Sequence, residues 1–64
     1  MGKTRIEELR KDLGLTQEQL GKGIGVNFRT ISNYEKDVRE PDIETLKKLS
    51  KFFKVTIDEI VRND

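Results

Sequence analysis

The sequence predicts an all-α fold of five short helices, and three features carry that prediction. Apolar residues recur at three- and four-residue spacing along nearly the whole of the 64 residues, the period of a helix with one buried face. Side chains that cap helix N-termini stand just ahead of those apolar runs, at Thr16, Asn27, Asp42 and Thr56. Glycine or proline interrupts the pattern between them, at Gly14, Gly25 and Pro41. The length admits one domain over residues 1–64, and a chain of that size hides only about 60% of the surface its unfolded form exposes. Modest stability follows.

Taken in order, the first helix is expected over Thr4 to Leu13, with Ile6, Leu9 and Leu13 on one face and Thr4 with Glu7 as a capping box. The second opens at Thr16, whose hydroxyl can cap the amide of Gln19 while Gln19 reaches back, and it turns Leu20 and Ile24 inward. Asn27 caps a third helix running to about Lys36, with Ile31 and Tyr34 inward. Residues 37–41 form a loop, and Asp42 caps a fourth helix whose Ile43, Leu46, Leu49 and Phe53 keep to one stripe, with Lys47, Lys48 and Lys51 on the other side. Thr56 and Glu59 repeat the capping-box pattern ahead of a short fifth helix burying Ile57, Ile60 and Val61. Phe52, beside the stripe of the fourth helix, is expected to join Val61 in an apolar patch suited to a partner.

Composition excludes several classes of function. There is no cysteine and no histidine, which removes disulfides, thiolate and imidazole metal sites and the usual Ser-His or Cys-His nucleophile pairs. No metal or cofactor is expected. A core this small is also expected to leave no pocket of about 300 Å3, so the chain is not read as an enzyme. Its longest apolar run is two residues, far short of a membrane span, and a cytoplasmic setting fits. The 13 Lys and Arg against 12 Asp and Glu give a net charge of +1, which permits nucleic-acid binding without arguing for it. Residues 1–39 hold eight basic and six acidic side chains, against five and six in 40–64, so the positive excess lies in the first part.

The second and third helices carry the functional argument. Three residues with a glycine between two helices of about two turns force a sharp corner, and Gly21 is suited to the place where the two backbones approach. With Ile31 and Tyr34 inward, the third helix turns Phe28, Arg29, Ser32, Asn33 and Lys36 outward to differing degrees. Arginine can donate two bonds to guanine, asparagine can pair both ways with adenine, and an apolar ring can lie on a thymine methyl. The N-terminal end of the second helix at Thr16 and Gln17, with Asn27, Thr30, Lys36 and Arg39 around the same surface, could hold phosphates and set register. Arg29 suits a base edge or a phosphate equally.

These residues resemble a known family, the helix-turn-helix domains of phage Cro and lambda-type repressors and of the related xenobiotic-response-element regulators. The resemblance runs over nearly the whole chain, through Arg10, the Leu-Thr-Gln-Glu-Gln-Leu of residues 15–20, Gly21, Gly25 and Val26, the Thr-Ile-Ser-Asn-Tyr-Glu of residues 30–35, and the Pro41 to Leu46 segment. It implies a compact five-helix lambda-repressor-like fold, with helices two and three as the helix-turn-helix, and a homodimer on a two-fold double-stranded DNA operator, regulating transcription and first of all repressing it. It implies further that Phe28, Arg29 and Asn33 approach bases, that Gln17 and Asn27 meet phosphate, and that Arg10 pairs with Glu35 to tie helix one to helix three. The same fold also serves as a protein-interaction module, an antitoxin or co-regulator, and the near-neutral charge and the apolar Phe28 fit that alternative.

The sequence departs from the family pattern at four places. Asp37 and Lys54 stand where glycine is common after helices three and four, which predicts left-handed backbone at Asp37 and a strained end of helix four. Gly23 lies within helix two and should weaken it by roughly 1 kcal/mol. Phe28 opens the third helix with an unusual residue, placed to read a base or to pack beside Val26.

Overall fold

A computed structural model describes residues 4–61. Five helices fill that span: α1 (Ile6–Asp12), α2 (Gln17–Ile24), α3 (Phe28–Glu35), α4 (Ile43–Phe53) and α5 (Ile57–Ile60). Among the described residues the extended structure is confined to a single bridge between Thr4 and Val61. Helix α2 is the centre of the packing, against α3 on one side and α4 on another, while α1 lies on α3 and α5 on α4.

Local chemistry accounts for most helix starts. Thr16 and Gln19 close a full capping box on α2, Gln19 N donating to Thr16 Oγ1 at 3.0 Å and Thr16 N to Gln19 Oε1 at 2.8 Å. Asn27 Oδ1 accepts from Arg29 N at 2.8 Å, and Asp42 Oδ1 accepts from Thr45 N at 2.8 Å. Such caps each contribute about 1 kcal/mol. At α5 only half the box forms. Thr56 Oγ1 accepts from Glu59 N at 3.2 Å, but the Glu59 carboxylate accepts from the Thr56 hydroxyl instead of the backbone amide.

Helix α1 differs from the expected Thr4 capping box. It starts at Ile6, with Arg5 as an N-cap that makes no side-chain cap bond. The backbone of residues 4–5 is held elsewhere, Arg5 N donating to Ile60 O at 2.7 Å and Thr4 bridging Val61. A strand-like pairing has displaced the first turn of a helix.

The core joins all five helices: Ile6, Leu20, Ile31, Leu49 and Ile60 are wholly buried, with Ile24, Tyr34 and Leu46 beside them. Leu9, Val26, Phe52, Phe53, Val55, Ile57 and Val61 pack around that centre, partly exposed. Two expected core residues lie outside it. Leu13 follows the last residue of α1 and is 56% exposed, and Ile43, the first residue of α4, is 63% exposed. Both have the right period but stand at the end of their helix, past the neighbours that would cover them.

The departures from the family pattern have distinct structural fates. Asp37 and Lys54 both adopt left-handed backbone, with φ of 61° and 58°. A side chain at Gly23 would run into the Phe52 ring, so this glycine makes room for an aromatic residue of α4. Phe52, expected to face outward with Val61, is half-buried and stands edge-to-face with Phe53 at 5.5 Å between centroids. An open surface depression of about 420 Å3 lies along this seam, lined by Gly23, Ile24, Lys48, Lys51 and Phe52. The space expected to be missing is therefore present, but open at the surface between α2 and α4.

Candidate nucleic-acid interface

The corner between α2 and α3 is built at the level of the backbone. Helix α2 ends at Gly25, whose φ of 78° is left-handed, and the amides of Gly25 and Val26 both turn back to the Gly21 carbonyl, Val26 at 2.8 Å. A Cβ on residue 21 would stand 2.5 Å from the Val26 carbonyl oxygen and 3.4 Å from the Phe28 nitrogen. Only glycine admits that approach as it stands, because the atoms in the way are backbone and shift at greater cost than a flexible side chain.

Helix α3 is then aimed by a polar network at its opposite end. The Arg10 guanidinium grips the Glu35 carboxylate with two bonds, Nε to Oε2 at 2.7 Å and Nη2 to Oε1 at 3.2 Å, and its Nη1 donates to Leu15 O at 2.7 Å. Gln17 Nε2 donates to Glu35 Oε1 at 3.0 Å. The pair is largely shielded, with side-chain exposures of 12% for Arg10 and 4% for Glu35. The bond to Glu35 holds the Arg10 pKa above its ordinary value, against the opposing effect of burial. One carboxylate thus ties α1, the start of α2 and the end of α3 together. Sequence reasoning missed the part of Gln17, whose partner lies in another helix.

The remaining candidate residues fall into two groups. Phe28, Arg29, Asn27, Thr16, Lys36 and Arg39 are exposed, whereas Thr30 and Asn33 are half-buried. Asn33 also supports the loop after α3, its carbonyl accepting from Val38 N at 2.9 Å and Arg39 N at 3.3 Å. Phe28 does not fold under Val26; it is 44% exposed, with the Arg29 guanidinium carbon 5.9 Å from its ring centroid. The amide and hydroxyl of Thr16 are engaged in the α2 cap, and the Asn27 carbonyl oxygen in the α3 cap. Among the described residues no cluster of acidic side chains could hold a metal ion, and no helix is long and apolar enough to cross a membrane.

A capped helix, a glycine corner of three residues and a second helix with a polar exposed face define a helix-turn-helix. Residues 6–60 match the family model described as helix-turn-helix, and the chain belongs to that family. Over 61 residues it is 43% identical to the cryptic phage CTXphi transcriptional repressor RstR of Vibrio cholerae, covering 95% of this chain and 55% of that protein. It is 42% identical over 60 residues to the HTH-type transcriptional activator BcrR of Enterococcus faecalis, covering 94% of this chain and 29% of that one. Its fold is similar to that of the P22 c2 repressor protein crystallised in complex with synthetic operator 9T, with a TM-score of 0.86, 38% identity, and coverage of 94% of this chain and 91% of the other. The chain spans about half or less of the length of the curated relatives named here. The family and these relatives are regulators of transcription and not enzymes.

Proposed function

We propose that this chain is the operator-binding domain of a transcriptional repressor, working in the cytoplasm and binding double-stranded DNA as one half of a homodimer. Helix α3 lies in the major groove, with Phe28, Arg29 and Asn33 toward base edges. Thr16, Gln17, Asn27, Thr30, Lys36 and Arg39 stand toward the phosphates on either side. With the Thr16 amide committed to its cap, the phosphate contacts at the two helix starts fall to the Asn27 amide donors and the positive end of α2, beside those of Lys36 and Arg39. The observation that carries the reading is the likeness, at 38% identity over 94% of the chain, to a repressor solved on its operator. Repression is preferred to activation because RstR and the P22 protein are both repressors, although BcrR is an activator.

A selection from randomised duplex DNA by the purified protein tests this, followed by titration of the enriched site at two salt concentrations. The expected outcome is a two-fold-symmetric site with half-sites about 10 bp apart and affinity that falls steeply with salt. Weak binding that is the same for every sequence would reject it in favour of the protein-interaction module, which the net charge of +1 and the exposed Phe28 favour.

A further inference from the structure

Resting on the DNA-binding reading above, we infer that Phe28 and Arg29 act as one unit that reads a pyrimidine 5-methyl group followed, on the same strand, by guanine. The domain then distinguishes thymine from uracil, and 5-methylcytosine from cytosine, at one base step of each half-site.

Two observations on α3 lead there. Phe28 occupies the first helical position with 44% of its surface exposed, outside the core that Ile31 and Tyr34 form from the same helix. Arg29 is exposed and takes part in none of the ion pairs among the described residues, in a chain with almost as many acids as bases. Its guanidinium carbon lies instead 5.9 Å from the centre of the Phe28 ring. Consecutive residues of a helix project about 100° apart and ordinarily diverge, so the contact between the two side chains joins what the helix separates. The backbone beneath them is fixed as well, since Arg29 N donates to Asn27 Oδ1 at 2.8 Å.

The chemistry of the major groove matches such a pair. Guanine offers two acceptors, N7 and O6, to a guanidinium fork, and thymine offers a methyl carbon to an apolar surface. Successive bases on one strand are about 3.4 Å apart, so a methyl and the acceptor pair of the next guanine form one edge, apolar at one end and hydrogen-bond accepting at the other. A fork leaning on an aromatic ring presents the complementary edge, and holding it there lowers the conformational freedom lost on binding. Cytosine and uracil lack the methyl; 5-methylcytosine restores it in the same place.

The test uses two randomised duplex libraries, one unmodified and one methylated at the cytosines of its CG steps. Enrichment of TG at a fixed place in each half-site identifies thymine as the methyl donor, and enrichment of methylated CG identifies 5-methylcytosine. The enriched duplex is then resynthesised with deoxyuridine, or with plain cytosine, in place of the methylated pyrimidine. Wild-type binding should weaken about fourfold for each half-site so changed, the loss of one buried methyl apiece. Phe28→Ala should bind both forms alike with an unchanged helical circular-dichroism spectrum, and Arg29→Lys should relax the choice of guanine by about fivefold or more. Equal wild-type affinity for the methyl-free duplex, or discrimination that survives Phe28→Ala, would overturn the inference. An enriched site without a pyrimidine–guanine step overturns the reading unit alone, whereas no enrichment from either library rejects sequence-specific binding itself.

Discussion

Two joints of this molecule solve the same problem with different residues. Helices α2 and α4 both end in left-handed backbone, at Gly25 with φ of 78° and at Lys54 with φ of 58°. Glycine takes that conformation without strain, whereas an ordinary side chain costs about 1–2 kcal/mol there. One turn before Gly25 the chain is packed backbone to backbone, with no room for a Cβ on Gly21. The α4 end makes the same two backbone bonds, from Lys54 N and from Val55 N at 3.1 Å back to Ser50 O, and adds one from the Ser50 hydroxyl to the Val55 carbonyl. The joint that aims α3 has no slack to give up, and the joint that carries α5 tolerates removable strain.

Removing the carboxylate that gathers three helices should break the contrast most severely. Glu35→Ala leaves Arg10 and Gln17 shielded without their acceptor, and breaking a buried pair from one side costs about 3 kcal/mol. Chemical denaturation should read that loss directly, and a change under 1 kcal/mol would mean the network is dispensable. Gly21→Ala comes next, at about 2 kcal/mol, because the Val26 carbonyl must move to admit the new carbon. DNA affinity should fall with it, since α3 is carried by that displaced backbone.

Paired substitutions at the two left-handed residues sharpen the comparison through opposite signs. Gly25→Ala should destabilise by about 1 kcal/mol and Lys54→Gly should stabilise by a similar amount. In thermal melts each corresponds to roughly 4–8 °C for a domain of this size. Lys54→Gly melting below the wild type would show that the α4 end carries no strain.

The smallest effect concerns pH. The Asp42 carboxylate, hydrogen-bonded by Thr45, is held below its ordinary pKa, with Arg39 adding a weaker attraction. A lowered pKa in the folded state means stability that is present above the ordinary carboxylate range and is lost as pH falls through the lowered value. Asp42→Asn, which still caps, should melt like the wild type at neutral pH and show a shallower loss in acid. Identical acid limbs for the two proteins would remove Asp42 from the account.

How much was legible beforehand divides along the range of the interactions. Thr16, Asn27 and Asp42 announce their helices because a cap and its partner lie within three residues. Leu20 with Ile24, Ile31 with Tyr34, and Leu46 with Leu49 were readable for the same reason, each set being periodic within its own helix. Leu13 and Ile43 misled because period says which face a residue occupies and nothing about whether a neighbour reaches that far. Thr4 misled because its backbone partner, Val61, lies near the other end of the chain. Arg10 with Glu35 reached the reading only through family resemblance, since no spacing rule relates positions on different helices. Gly23 looked like a plain weakness in α2 until Phe52 was found against it.

The bridge between Thr4 and Val61, with the 2.7 Å bond from Arg5 to Ile60, has a consequence for how the domain can be handled. It makes the described chain a nearly closed circle, in which residue 4 and residue 61 stand side by side at one pole. Force applied through Thr4 and Val61 meets that clasp before it meets the core. A version rejoined there by a few residues and opened in the loop between α3 and α4 would keep every helix intact, with the break moved to the side of the molecule.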